Sequence, residues 1–395
     1  LWSQMHGNES TATMALFDLF NFLEGKNDGY DELRNLLKNQ LSLKFIPMIN
    51  PDGADAFKRR NALDIDLNRD AISQISPEAV ILKKARDDFE PEFGFNLHDQ
   101  QIYYNVVNTP KQATISLLAP AYNYETEINE VRGRAMQTIA GMNELLQEFI
   151  PGQVGKYDDA FEPRAFGDNI QKWGTSTILI ESGGFPGDTE KQYIRKINFM
   201  IILNALHQIA TRGYEQYTTE QYFAIPDNGF QLMDLIINEM QVKVKGAWYP
   251  LDIAIRRRET ENTAGYFMSA SVEDLGDMQI FFGFETLDAT GLQYLEGKVF
   301  PTAFESVKDI SEEKAIELLR QGFMAVKVKT GEARQVHGLP ILVLKSTEKY
   351  SSGWMTGSAT NFFLAKEGKP RYAIVNGYLI DLETPKKQEI RNRIF

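Results

Sequence analysis

Four short apolar segments in the first half of the chain each run straight into polar, reactive residues. LWSQM leads into His6-Gly7-Asn8-Glu9, FIPMI into Asn50-Pro51-Asp52-Gly53, FGFNL into His98-Asp99-Gln100, and TILI into Glu181-Ser182-Gly183-Gly184. Longer stretches between them carry apolar residues at helical spacing. TATMALFDLFNFLEG places Ala12, Ala15, Leu16, Leu19, Phe20 and Leu23 on one stripe, with Ser10 or Thr11 as N-cap and Gly25 as the C-terminal cap. Residues 126–149 place Ile128, Val131, Ala135, Ile139, Met142, Leu146 and Phe149 on another stripe, and a long helix with Ile194, Ile197, Ile201, Ala205 and Ile209 follows the last strand. LSLKFIPMI alternates Leu41, Leu43 and Phe45 as a strand does. Strands alternating with helices predict an α/β fold, a mixed and mostly parallel central sheet flanked by helices. Open sheets of this kind bind ligands at the carboxyl ends of their strands. The four polar clusters are therefore expected to converge in space.

The pattern changes near Gly213. Residues 213–229 are polar, aromatic and unpatterned, and read as a linker after a first domain over 1–212. Residues 230–395 hold many short strand-like runs, among them LMDLIIN, LDIAI, FMAVKVK, PILVL and NFFLA, with one helical piece, SEEKAIELLRQG. This predicts a β-rich, sandwich-like accessory domain.

With 395 residues and 43% hydrophobic content the chain can build more than one core. Its net charge of −12 opposes a nucleic-acid role and attraction to anionic membranes, so Arg256-Arg257-Arg258 reads as a solvated strand end. No cysteine occurs, which removes disulfides, thiol nucleophiles and cysteine-ligated metals. The longest apolar run, FMIILNAL, is too short for a membrane span. No signal peptide is visible, and the chain opens on a strand already in progress, so a segment before residue 1 is expected. Localisation stays open; a cysteine-free chain is compatible with the cytoplasm. Oligomeric state is not legible.

The strand-end residues have a chemistry in common. Two histidines and a glutamate with an open fourth position are the donor set of a catalytic zinc. A second glutamate that does not bind the metal can act as general base. The His6–Glu9 spacing alone says little in a chain with 54 acidic residues. Between the two histidines lies RRNALDIDLNRD, residues 59–70, whose arginines and asparagines suit recognition of a carboxylate. His207 and His337 read as structural histidines.

The ordered series HGNE, NPDG, RRN…DxDLNR, LHDQ and a strand ending in Glu-Ser-Gly, over residues 1 to about 212, resembles the zinc carboxypeptidase family, the carboxypeptidase A-like metallocarboxypeptidases. The resemblance implies one Zn²⁺ held by His6, Glu9 and His98, with Glu181 as general base and then general acid. It implies that Arg59, rather than its neighbour Arg60, stabilises the oxyanion. Asn68 and Arg69 would clamp a substrate carboxylate, and Asp66 would hydrogen-bond the far nitrogen of His6. Two departures stand out. Asp64 replaces the family's usual Gly, although Asp tolerates a left-handed backbone. The mobile active-site tyrosine has no secure motif; Tyr157, in GKYDDAF, lies at about the right distance before Glu181.

The second domain is faintly similar to the small β-sandwich that flanks the barrel of metal-dependent amidohydrolases, without the barrel's metal motifs. The implied activity is a zinc metallocarboxypeptidase acting on peptides with a free terminal carboxylate. A zinc deacylase of N-acyl amino acids, similar to aspartoacylase, is the alternative. A degenerate enzyme serving as a binding protein is a third reading.

Overall fold

A five-stranded sheet organises the first part of the chain. Its strands run in the order Trp2–Ser3, Phe93–Asp99, Ser176–Ser182, Ile115–Leu118, Val154–Lys156. Three of the four pairings are parallel; Ile115–Leu118 pairs antiparallel with Ser176–Ser182, and Val154–Lys156 runs parallel to Ile115–Leu118. The computed structural model describes residues 1–262 and 265–395, which fall into two units, Leu1–Gln231 and Leu232–Phe395.

Both faces of the first sheet are covered, as a mostly parallel sheet requires. Phe95, Leu97, Ile178, Ile180, Ile115 and Leu117 point to one face, where helices Thr11–Glu24, Glu130–Phe149 and Gln192–Thr211 bury Leu16, Leu19, Met136, Ile139, Ile197 and Ile201 against them. The other side is a smaller core of Trp2, Met5, Leu67, Leu82, Phe166 and Ile170, supplied in part by helices Pro77–Phe89 and Phe166–Lys172. The side-chain period of two along each strand thus sets which residues meet which core.

Two local expectations change. Residues 41–49 do not form a strand; Ile46 makes one bridge to Trp2, and Ser3 N–H and Ile46 N–H complete the pairing with Ile46 and Leu1 carbonyls. The alternation at Leu41, Leu43 and Phe45 instead lets these side chains pack partly against the helical core. The segment read as a linker, 213–229, is built into the first unit. It carries the 3₁₀ turn Gly213–Gln216, the helix Thr219–Phe223 with a Thr218–Gln221 capping box, and the strand Asn228–Gly229. Tyr222 is fully buried there and its hydroxyl accepts from Ala119 N–H. Its polar composition hid its buried aromatic residues, Tyr222 and Tyr214.

The second unit contains an eight-stranded mixed sheet and a three-stranded parallel sheet. Strands Leu232–Val244 and Ala247–Asn262 form its long hairpin, turned at Lys245 and Gly246, both with positive φ as a type I′ turn needs. One core lies among helix Glu312–Arg320, the parallel strands Phe323–Val328 and Leu342–Lys345, and Phe363, Ala373 and Val375 of the large sheet. Phe362, Leu364 and Ile374 point the opposite way and join Leu235, Ile237 and Ile255 in another core. Among the described residues no helix is long and apolar enough to cross a membrane.

Candidate metal centre

The register of two parallel strands builds the centre of the site. His98 sits opposite Glu181, and Asp99 opposite Ser182, where strands Phe93–Asp99 and Ser176–Ser182 end. Because Phe95 and Leu97 face the helical core, the intervening His98 projects to the other side, and Glu181 does the same between Ile180 and Ser182. His6 and Glu9 come from the loop that connects strand Trp2–Ser3 to helix Thr11–Glu24. All four side chains are buried, with His6 at 3%, Glu9 at 8%, His98 at 2% and Glu181 at 9% exposure.

The glycines of the first two motifs explain how this loop is placed. A Cβ on Gly7 would lie 1.9 Å from the carbonyl carbon of Gly53, so HGNE and NPDG pack backbone to backbone. Asn50 locks the arrangement. Its Oδ1 accepts from Gly53 N–H at 2.9 Å, capping the helix Pro51–Asp55. Its amide nitrogen donates to the carbonyls of Met5 and Arg59, at 3.2 and 3.3 Å. One fully buried asparagine therefore ties the residue before His6 to the backbone of Arg59. Gly183 follows the same logic, since a Cβ there would meet the Ala113 carbonyl oxygen at 2.2 Å.

The donor atoms converge. His6 Nδ1 lies 2.7 Å from Glu9 Oε1, His98 Nδ1 lies 2.7 Å from Glu9 Oε2, and the two Nδ1 atoms are 3.2 Å apart. Donor atoms of all three residues lie within 4.8 Å of one another. Two nitrogens at zinc distance in a tetrahedron are separated by about 3.3 Å, so the spacing suits that ion. Asp66 Oδ1 lies 3.2 Å from His6 Nε2, which favours the proton on Nε2 and leaves the Nδ1 lone pair directed at the shared volume. The two imidazoles and one carboxylate fit a metal ion and leave a coordination position open.

Charge shapes the surroundings. Burial pushes the Glu9 carboxyl up, but the two adjacent imidazoles outweigh it and hold it well below the usual carboxylate range. Asp66 is likewise opposed by burial and held low by His6 and Arg59. Glu181 goes the other way: burial pushes its carboxyl far up, His98 only partly opposing, with Glu9 and Asp99 adding to the rise. A buried carboxyl with a raised pKa beside a donor cluster is suited to carrying protons.

Arg59 reaches the cluster and Arg60 does not. The Arg59 guanidinium is 3.2 Å from His6 Nδ1 and 3.6 Å from Glu9 Oε1, and is paired with Asp66 at 3.0 Å. Arg60 donates to the Asp64 carbonyl at the surface. Asp64 adopts φ +59, a left-handed conformation that Asp tolerates. Asp66 also caps the 3₁₀ turn Leu67–Arg69 by accepting from Asn68 N–H at 3.0 Å. Asn68 Oδ1 accepts from Phe166 N–H at 2.9 Å. Arg69 is paired with Glu162 at 3.4 Å and donates to the Asn68 carbonyl at 2.6 Å. Tyr157 follows strand Val154–Lys156, half-buried, with its hydroxyl 3.4 Å from that of Tyr104; burial and the field of Glu181 push its phenol up. Sequence reading missed Tyr104 and the architectural part of Asn50, because neither pairing leaves a local pattern.

The remaining histidines are placed elsewhere. His207 lies on helix Gln192–Thr211. His337 Nε2 is 3.2 Å from the Arg393 carbonyl, and Nδ1 accepts from Leu339 N–H.

Against known proteins, no family model matches the chain. Carboxypeptidase SOL1 of Arabidopsis thaliana is 36% identical to it over 75 residues, 18% of this chain and 15% of that protein. Among solved structures, a metallo-carboxypeptidase from Burkholderia cenocepacia is similar, with TM-score 0.40 and 16% identity over 54% of this chain and 56% of that one. A succinylglutamate desuccinylase from Silicibacter sp. TM1040 is similar at TM-score 0.33 and 14% identity, over 52% of this chain and 54% of that one. The chain spans 15% of the curated relative's length and little more than half of these two solved chains. It is similar to metallo-carboxypeptidases, which are hydrolases.

Proposed function

We propose that this protein is a zinc-dependent metallocarboxypeptidase that releases residues from the C-termini of peptides. The observation that carries the reading is the convergence of His6, Glu9 and His98 from two distant segments, with Glu181 beside His98 in strand register. In this reading those three residues hold one zinc ion. Zinc, when bound, supplies a Lewis acid that polarises the scissile carbonyl and acidifies water at neutral pH.

The chain's own groups do the rest. Asn68 and Arg69 anchor the substrate's terminal carboxylate, which fixes the bond presented to Glu181. For this Arg69 turns its guanidinium from Glu162, a partly exposed and therefore weak pair. Glu181 takes a proton from the attacking water and delivers it to the leaving amine. Arg59 neutralises charge that develops on the carbonyl oxygen, while Asp66 holds both Arg59 and His6 in place. Tyr157 closes over the bound substrate. The substrate partner is a peptide with a free carboxylate.

The same groups serve a zinc deacylase of N-acyl amino acids, since the anchor needs only a carboxylate. One experiment separates the two. A mixed pool of peptides and N-acyl amino acids is incubated with zinc-loaded protein and, in parallel, with Glu181→Gln, and read by mass spectrometry. Stepwise loss of C-terminal residues with the parent alone is expected. Deacylation without trimming would replace the peptidase by the deacylase, and an unchanged pool with zinc bound would favour a binding role.

A further inference from the structure

Beneath the donor cluster, on the opposite face of the same strand ends, a partly buried ion pair joins every segment that carries a donor or the base. Asp99 follows His98 and therefore points to the face covered by helices. Its Oδ2 accepts from the Thr11 hydroxyl at 2.5 Å and from Lys191 Nζ at 3.1 Å. Lys191 Nζ also donates to the carbonyl of Ser182, the residue after Glu181, at 3.1 Å. Asp99 N–H in turn donates to Glu9 Oε2 at 3.3 Å. Thr11 stands two residues after Glu9. One ammonium thus links the His98 strand end, the Glu181 strand end and the Glu9 loop.

Two further observations indicate why such a link is needed. His6 is oriented through its far nitrogen by Asp66, but His98 Nε2 is buried with no hydrogen-bond partner. The orientation of His98 therefore depends on where its strand end is held, by the ladder to Ser176–Ser182 and, at the next residue, by the contacts of Asp99. Lys191 itself adopts φ +51, a left-handed conformation that a lysine does not prefer. That conformation aims its side chain inward, where it is only 23% exposed.

We infer that the Lys191–Asp99 pair is a positioning clamp for the metal centre. It fixes Glu9, His98 and Glu181 relative to one another without touching substrate. The inference rests on the zinc reading above. Neutralising the lysine frees three segments at once, and losses of the kind seen for residues supporting metal ligands, about 10–100-fold in metal affinity, are expected.

The test compares Lys191→Met, Lys191→Arg and the double variant Lys191→Met/Asp99→Asn in the full chain. Zinc affinity is measured by chelator competition, apo stability by thermal unfolding, and KM and kcat separately at saturating zinc. Expected are a 10–100-fold weaker zinc affinity and a lower kcat with KM unchanged in Lys191→Met, largely restored in Lys191→Arg. The double variant, which leaves no unpaired buried charge, should recover apo stability but not zinc affinity, and it carries the test if the single variant fails to fold. Parent-like zinc affinity and kcat in the double variant would overturn the clamp while leaving the zinc reading intact. A parent protein that binds no zinc would overturn both.

Discussion

Asp66 is the residue whose removal tests the assembled site most directly, because it holds three groups at once. Oδ1 faces His6 Nε2 at 3.2 Å and accepts from Asn68 N–H at 3.0 Å, and Oδ2 accepts from Arg59 Nε at 3.1 Å. In Asp66→Ala the proton on His6 is no longer directed to Nε2, so part of the population presents Nδ1–H to the metal. Loss of such a partner weakens metal binding about 10–100-fold, or ~1.4–2.7 kcal/mol. Arg59 loses its anchor as well. Deleting an oxyanion donor outright costs about 10²–10³ in rate, and a loosened donor should cost less, about tenfold in kcat at saturating zinc. Asp66→Asn keeps an acceptor for His6 but not the charge on Arg59, so its metal affinity should fall less than that of the alanine variant while its kcat falls similarly. Chelator competition and steady-state kinetics separate the two effects. Parent-like affinity in Asp66→Ala would show that something else orients His6, and the reasoning from its Nε2 contact would fail.

Two predictions concern stability. Tyr222→Ala should destabilise the first unit by about 3–5 kcal/mol, and Tyr222→Phe by about 1–3 kcal/mol through the unpaired Ala119 N–H; chemical denaturation that leaves both unchanged would return residues 213–229 to linker status. Burial lowers the His337 imidazole from 6.5 to about 4, with the Arg393 carbonyl only partly opposing. The unfolded chain gains this proton below pH 6.5 and the folded chain only near 4, so its share of stability is intact above 6.5 and is lost as pH falls toward 4, by about 3 kcal/mol. Titration of the His337 ring by NMR near the ordinary histidine value would contradict this.

Much of the site was legible because its residues sit where an apolar run ends, and the strand period then dictates the face. Helices were legible wherever one stripe is buried, as at Ala12, Leu16 and Leu19 or Ile194, Ile197 and Ile201. Ile128 broke its stripe: it is exposed and precedes the helix, which begins after the Asn129 cap. What stayed hidden depends on distance across the fold. Lys191 and Asp99 are 92 residues apart, and Asn50 meets Met5 across 45. No local periodicity encodes such meetings. The Gly7–Gly53 approach is of the same kind, since a glycine in a loop motif does not reveal which backbone crosses it.

The charges around the centre lead to one more consequence. Four carboxylates, Glu9, Asp66, Asp99 and Glu181, are joined through hydrogen bonds and strand pairing to two cations, Arg59 and Lys191. With both imidazoles neutral, two negative charges are left over in a buried region, which is costly. Taking up protons relieves this in the protein without metal: contacts with Asp66 and Glu9 raise His6 against its burial, and burial, with Glu9 and Asp99, raises Glu181. A divalent ion supplies the same two charges. Metal binding near neutral pH should therefore expel about one to two protons, with more released as pH falls toward 6. Calorimetric titration of zinc into the apo protein, in buffers of different ionisation enthalpy, counts them. In Glu181→Gln, which already lacks one of the four charges, the count should drop. Proton release close to zero in the parent would mean that the site is neutral without metal, and that the four carboxylates are compensated by a group other than the ones named.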